Sequence, residues 1–116
     1  MRFQFKSHPP GLQTGVVRFA RPLGAQAPIA WRVTDEFYDF ASRPSGEATV
    51  IARLDESTYE GGHMGAEHSI AWCRKVQGGR SWYTGLGHRP ELFADPVFLA
   101  HLDKGLRYAM SRSDDC

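Results

Sequence analysis

The segment GGRSWYTGLGH, residues 78–88, ends on a histidine that a strand-like block and two glycines deliver to one point. An imidazole titrates near neutrality, so such a residue can serve as base, acid or metal ligand. In open α/β sheets, ligands sit beyond the carboxyl ends of the strands. His88 follows such an end, with Gly85 and Gly87 carrying the chain over it. The opposing reading is a satisfied loop histidine. Asp35-Glu36 forms a carboxylate pair ahead of the aromatic run FYDF. Alternation along a strand sends the two side chains to opposite faces, so at most one enters a given pocket.

The stretch 55–68, DESTYEGGHMGAEH, gathers Asp55, Glu56, Tyr59, Glu60, His63, Glu67 and His68. Carboxylates accept from sugar hydroxyls, and a ring such as Tyr59 stacks on a sugar face. The set is also open to a metal, although His63-x4-His68 in a glycine-bearing loop is not the helical HExxH pattern. Gly61, Gly62 and Gly65 serve the backbone, since no P-loop or GxGxxG is present. A plain solvated loop is the alternative. No nucleophile survives inspection: Cys73 sits inside a strand pattern, and Ser57 and Ser81 lack the glycine elbow that exposes a catalytic hydroxyl. Trp31, Trp72 and Trp82 read as core.

These residues need elements to hold them. GVVRF (15–19) and the piece FQF near the start are β-prone, separated by the turn cluster SHPPG. RPLGAQAP (21–28) is a loop, and WRVTDEFYDF (31–40) reads as a strand in its second half, ended by SRPSG. EATVIARL (47–54) is a further strand, while 55–68 is polar and aperiodic, a length of loop that is often functional. SIAWCRKV (69–76) and RSWYTGL (80–86) are strands joined through QGG, a tight hairpin. The last element is a helix with Asp95 as N-cap and Pro96 at its first position. Its apolar stripe is Phe98, Leu102, Leu106 and Ala109, and Gly105 marks close packing against a sheet at a propensity cost of roughly 1 kcal/mol.

That inventory has many strands and one good helix. A parallel sheet buried on both faces would be left half uncovered. Either the sheet is mostly antiparallel with one wet face, or a covering part lies outside this chain.

The 116 residues suit one domain or part of one, and 12 Gly and 7 Pro imply many turns. A net charge of +1 with scattered arginines gives no footprint for nucleic acid. No apolar run reaches the roughly 18 residues of a membrane span, and MRFQFKSHPPG has no signal core. Cys73 and Cys116 lack metal-ligand spacing. The first reads as a small strand hydrophobe and the second as a frayed end, so a reducing, cytoplasmic setting is expected.

The ordered set SHPPG, TDEFYDF, DESTY, GGHMG, AWC, GGRSWYTGLGH and FADPVFLAHLDKGLRYA resembles the trehalose-utilisation, or ThuA-like, family over roughly residues 8–110. The resemblance implies a flavodoxin-like α/β sandwich related to class I glutamine amidotransferases, here partial: a central β-sheet with a C-terminal helix. The family domain is far longer than this chain, which corresponds to its C-terminal half, so a partner chain or a second copy is expected over the incomplete sheet. Proteins of the family usually lack the amidotransferase cysteine and are linked to disaccharide and keto-sugar metabolism. The likeness implies a pocket with His88 and Glu36 as catalytic groups, where amidotransferases carry their triad histidine. It implies a carbohydrate contacted by Asp55, Glu56, Tyr59, His63 and His68. A non-catalytic sugar-binding domain and an inactive remnant are the alternatives, and no motif names a cofactor or a metal. Two departures stand out: the family's His-Pro pairs are here His68-Ser69 and Arg21-Pro22.

Overall fold

The computed structural model describes residues 5–24, 27–44 and 46–116. Residues at the start of FQF, in the middle of RPLGAQAP and within SRPSG therefore lie outside the described residues. The strands are β1 (Phe5–Ser7), β2 (Gln13–Phe19), β3 (Ala30–Asp35), β4 (Asp39–Phe40), β5 (Thr49–Asp55), β6 (Ser69–Val76) and β7 (Gly79–Thr84). Three short 3₁₀ turns and one helix, α1 (Pro96–Ala109), complete the described elements. Five strands form a sheet in the order β3-β2-β5-β6-β7, and β1 pairs with β4 in a separate ribbon. Every one of these pairings is antiparallel.

Alternation explains how one sheet manages with one helix. On β2 and β3, Gly15, Val17, Phe19, Trp31, Val33 and Asp35 turn inward and are buried. Thr14, Arg18, Arg32 and Thr34 turn outward, where Thr14 and Thr34 share a hydroxyl contact of 2.6 Å. An antiparallel sheet tolerates such a wet face. Of the two alternatives left by the strand and helix inventory, the antiparallel one therefore accounts for the single helix. A flavodoxin-like sheet is parallel and needs helical crossovers between its strands; here successive strands connect by hairpins and loops. The class is α/β with a curled antiparallel sheet.

The β6–β7 hairpin turns on Gln77 and Gly78, both at positive φ (33° and 79°). That is the backbone a two-residue hairpin loop requires, and Gly78 supplies it without strain. At this end the sheet has cover on both faces. Cys73 and Trp82 are cross-strand partners facing α1, whereas their neighbours Trp72 and Tyr83 face away. Trp72 and Tyr83 stack with centroids 4.6 Å apart, and Phe40 of β4 meets both edge-on.

Three expectations change. In WRVTDEFYDF it is the first half that forms a strand; only Asp39–Phe40 of the second half is extended into a pair. Phe37 leaves the ladder to pack on Gly15, where an added Cβ would lie 2.9 Å from its ring. The helix starts as expected, with the Asp95 carboxylate accepting from Val97 N at 2.8 Å. Its buried face, however, is Phe98, His101, Gly105 and Tyr108, and Leu106 stays exposed. The helix is rotated because Gly105 must meet Trp82: a Cβ there would sit 2.3 Å from the indole. Finally, Cys116 is not a loose end. It forms a disulfide with Cys73, 43 residues earlier, and the tail before it pairs through Asp114 with Arg80 and through Asp115 with Arg21.

Candidate functional site

The chain leaving β3 reads Asp35-Glu36-Phe37-Tyr38-Asp39, and each residue of this pentapeptide has a separate task. Asp35 is fully buried, and its two oxygens accept from Gly87 N (2.8 Å) and Arg89 N (3.2 Å). One carboxylate thus holds the loop on both sides of His88. Gly87 completes the turn at φ 108°, against Phe98. As alternation requires, Glu36 points the other way, toward histidines.

Glu36 is largely buried, at 15% exposure of its side chain. Its Oε2 lies 3.6 Å from His88 Nε2 and its Oε1 lies 3.2 Å from His8 Nε2. His8 is anchored at its other nitrogen, whose N–H donates to Pro9 O at 2.8 Å. Its ring packs beside Phe5 and Tyr38. The 3.6 Å separation is an ion-pair distance rather than a hydrogen bond, and contacts between an imidazole and a carboxylate at a pocket edge commonly tighten when a ligand is present. His88 is half exposed and free to reach one.

Tyr38 separates this edge from a second, buried group. Its carbonyl accepts from His68 Nε2 at 2.7 Å. Nδ1 of the same ring lies 2.6 Å from Glu56 Oε2 and 3.1 Å from the Tyr59 hydroxyl. Asp39 Oδ1 is 3.9 Å from that nitrogen and accepts from His63 N at 3.2 Å. The Glu56 carboxylate also accepts from Met64 N (2.9 Å) and Gly65 N (2.8 Å), which closes the 55–68 loop on itself. Burial alone would raise the Glu56 pKa, but these amide donors and His68 outweigh it, and the net direction is downward. Tyr59 is pushed the other way, by burial first and then by the charges of Glu56 and Asp39, so its hydroxyl keeps its proton.

The loop residues expected to touch a ligand therefore divide. Glu56, Tyr59 and His68 come together inside, with His68 wholly buried and Tyr59 nearly so. His63 is exposed beside them. Asp55 faces the opposite side, where Ser57 and Arg18 hold its carboxyl below the usual range. With Arg18, Arg53 and Ala66 it lines a groove of about 690 Å³ whose lining includes neither His88 nor Glu36. Two participants escaped the sequence reading. His8 was absorbed into a turn motif, and Asp39 was one letter in an aromatic run; both lie in motifs already singled out, but only their partners reveal them. Cys73, taken up in the disulfide, is no nucleophile.

A family model described as ThuA, trehalose utilisation, matches residues 1–109. No curated protein and no solved structure matches the chain.

Proposed function

The chain belongs to the ThuA family of trehalose utilisation, and from that premise we propose that it binds a disaccharide or keto-sugar at the His8–Glu36–His88 edge and moves a proton there. The observation that carries this reading is Glu36, a mostly buried carboxylate that offers one oxygen to each of two imidazoles. His88 is the catalytic base or acid, acting on a sugar hydroxyl or on a carbon next to a keto group. Glu36 orients its ring, the division of labour by which an imidazole is aimed in acid–base catalysis. His63, exposed near the same segment, makes a polar contact to the sugar, whereas Asp55 faces the far side with Arg18 and takes no part at this edge. Glu56, Tyr59 and His68 shape the loop that presents them. The chemistry assigned to this edge is general acid–base, with His88 carrying the proton.

Calorimetry with trehalose and related disaccharides tests binding, and turnover assays on His88→Ala and Glu36→Gln test the chemistry. The expected outcome is binding by the wild type, a loss of turnover of about 10²-fold or more in His88→Ala, and retained binding in both variants. No heat with any disaccharide ends the carbohydrate reading. Binding without turnover in the wild type leaves a non-catalytic sugar-binding domain, a reading favoured by the openness of His88 to solvent.

A further inference from the structure

The buried group under the 55–68 loop is built for more than loop closure. His68 spends its Nε2 proton on the Tyr38 carbonyl, 2.7 Å away. Metal-ligating histidines almost always make such a bond with the nitrogen that does not bind the ion, because it sets the tautomer and the ring orientation. Nδ1 faces Glu56 Oε2 at 2.6 Å, a hydrogen bond whose proton a metal ion would displace, with Asp39 Oδ1 at 3.9 Å. One ligand atom from each of Asp39, Glu56 and His68 lies within 4.8 Å of the others. The Tyr59 oxygen is close by, 3.1 Å from the same nitrogen.

Asp39 supplies an independent observation. Its side chain is 2% exposed, yet Oδ2 is buried with no hydrogen-bond partner among the described residues. Leaving a buried carboxylate oxygen unmatched costs energy that a fold does not ordinarily carry without return. Glu56, in contrast, is held in place by two backbone amides and keeps Oε2 directed at the centre. Two carboxylates and one imidazole nitrogen make a donor set that suits a divalent cation.

We propose that Asp39, Glu56 and His68 form a binding site for a divalent first-row transition-metal ion, with zinc as the reference ion. One imidazole nitrogen and carboxylate oxygens are ligands of the kind zinc, manganese and ferrous iron accept. The ion satisfies Asp39 Oδ2, ties the loop to the segment leaving β3, and so braces Glu36 three residues before Asp39. The proposal does not depend on the carbohydrate reading, and neither fails with the other.

The test titrates the chelator-treated protein with zinc chloride in the presence of a competing chelator, for the wild type, Asp39→Asn, Glu36→Gln and the surface control Glu67→Gln. The expected result is one ion per chain, unchanged in Glu67→Gln and Glu36→Gln and weakened about 100-fold or more in Asp39→Asn. Absence of uptake by the wild type overturns the site, as does undiminished uptake by folded Asp39→Asn. Loss in Glu36→Gln with retention in Asp39→Asn also overturns it, placing the ion at the exposed histidines instead. Should Asp39→Asn not fold, X-ray absorption of the zinc-loaded wild type decides. A single imidazole with oxygens supports the assignment, and two imidazoles overturn it.

Discussion

His101 shows how one side chain can carry a pH dependence for the whole chain. It is fully buried between Phe19, Trp82 and Phe98, with Nε2 against the Thr84 hydroxyl at 3.0 Å and Nδ1 without a partner among the described residues. Burial lowers its pKa from 6.5 to about 4. Above pH 6.5 neither the folded nor the unfolded state holds the proton, and nothing is lost. Between 6.5 and about 4 the unfolded chain binds a proton that the fold refuses, so stability falls with pH by up to roughly 3 kcal/mol. Urea midpoints measured across that window are expected to drop on the acid side, and His101→Leu is expected to flatten this limb. A wild-type midpoint that does not move from pH 7 to pH 4.5 contradicts the assignment. Asp35 and Glu36 make the complementary point, since neighbouring residues of one chemical type have opposite tasks. One is a buried acceptor for two amides, and the other a carboxylate facing two imidazoles.

At the scale of the element, α1 and β7 meet where Gly105 leaves room for the Trp82 indole. Propensity favours Gly105→Ala by roughly 1 kcal/mol in an exposed helix interior. Here the new methyl would lie 2.3 Å from Trp82, and overpacking of this kind typically costs about 1–3 kcal/mol. The steric effect wins, because a rigid indole packed on Gly105 and His101 cannot withdraw as a flexible chain end can. Gly105→Ala is therefore expected to lower the thermal midpoint, whereas Leu106→Ala on the exposed side of the same helix should leave it nearly unchanged. A Gly105→Ala protein as stable as the wild type would show that α1 does not sit this close to the sheet. The 55–68 loop is the second element of note. Beyond Asp55, the end of β5, it carries only two short turns, and its order comes from Glu56, whose carboxylate collects Met64 N, Gly65 N and His68 Nδ1.

Across the whole molecule, the Cys73–Cys116 disulfide ties the last residue to the centre of the sheet across 43 residues. Cross-linking a loop of that length restricts the unfolded chain by about 4 kcal/mol in the loop-closure account. Reduction, or Cys116→Ser, is thus expected to shift the urea midpoint downward by a corresponding amount and to release the tail that pairs with Arg80 and Arg21. Equal midpoints for oxidised and reduced protein would leave the cross-link without energetic consequence. The same scale accounts for the two faces of the sheet. The helix and the β1–β4 ribbon cover the β6–β7 end from opposite sides, and the β2–β3 end turns threonines and arginines to water.

Much of this was legible in the residues themselves. The N-cap Asp95 with Pro96, the QGG hairpin, the strands around Val17, Ile51 and Ile70, and the strand-edge position of His88 follow from local rules of spacing and backbone freedom. So does the opposite facing of Asp35 and Glu36. The ordered motifs carry the family, and the family model agrees over residues 1–109. What tertiary structure decided is which groups meet. Periodicity pointed to Leu106 as core, but the helix turned to bring Gly105 onto Trp82. His8 looked like part of a turn until Glu36 was found between it and His88. Asp39, Glu56 and His68 are spread over thirty residues, and no local pattern says that their ligand atoms converge. Cys116 seemed a frayed end because a disulfide depends on where two strands and a tail come to rest. Local sequence determines backbone conformation at short range; the contacts that make a site are long-range, and only the packed sheet, ribbon and helix bring them together.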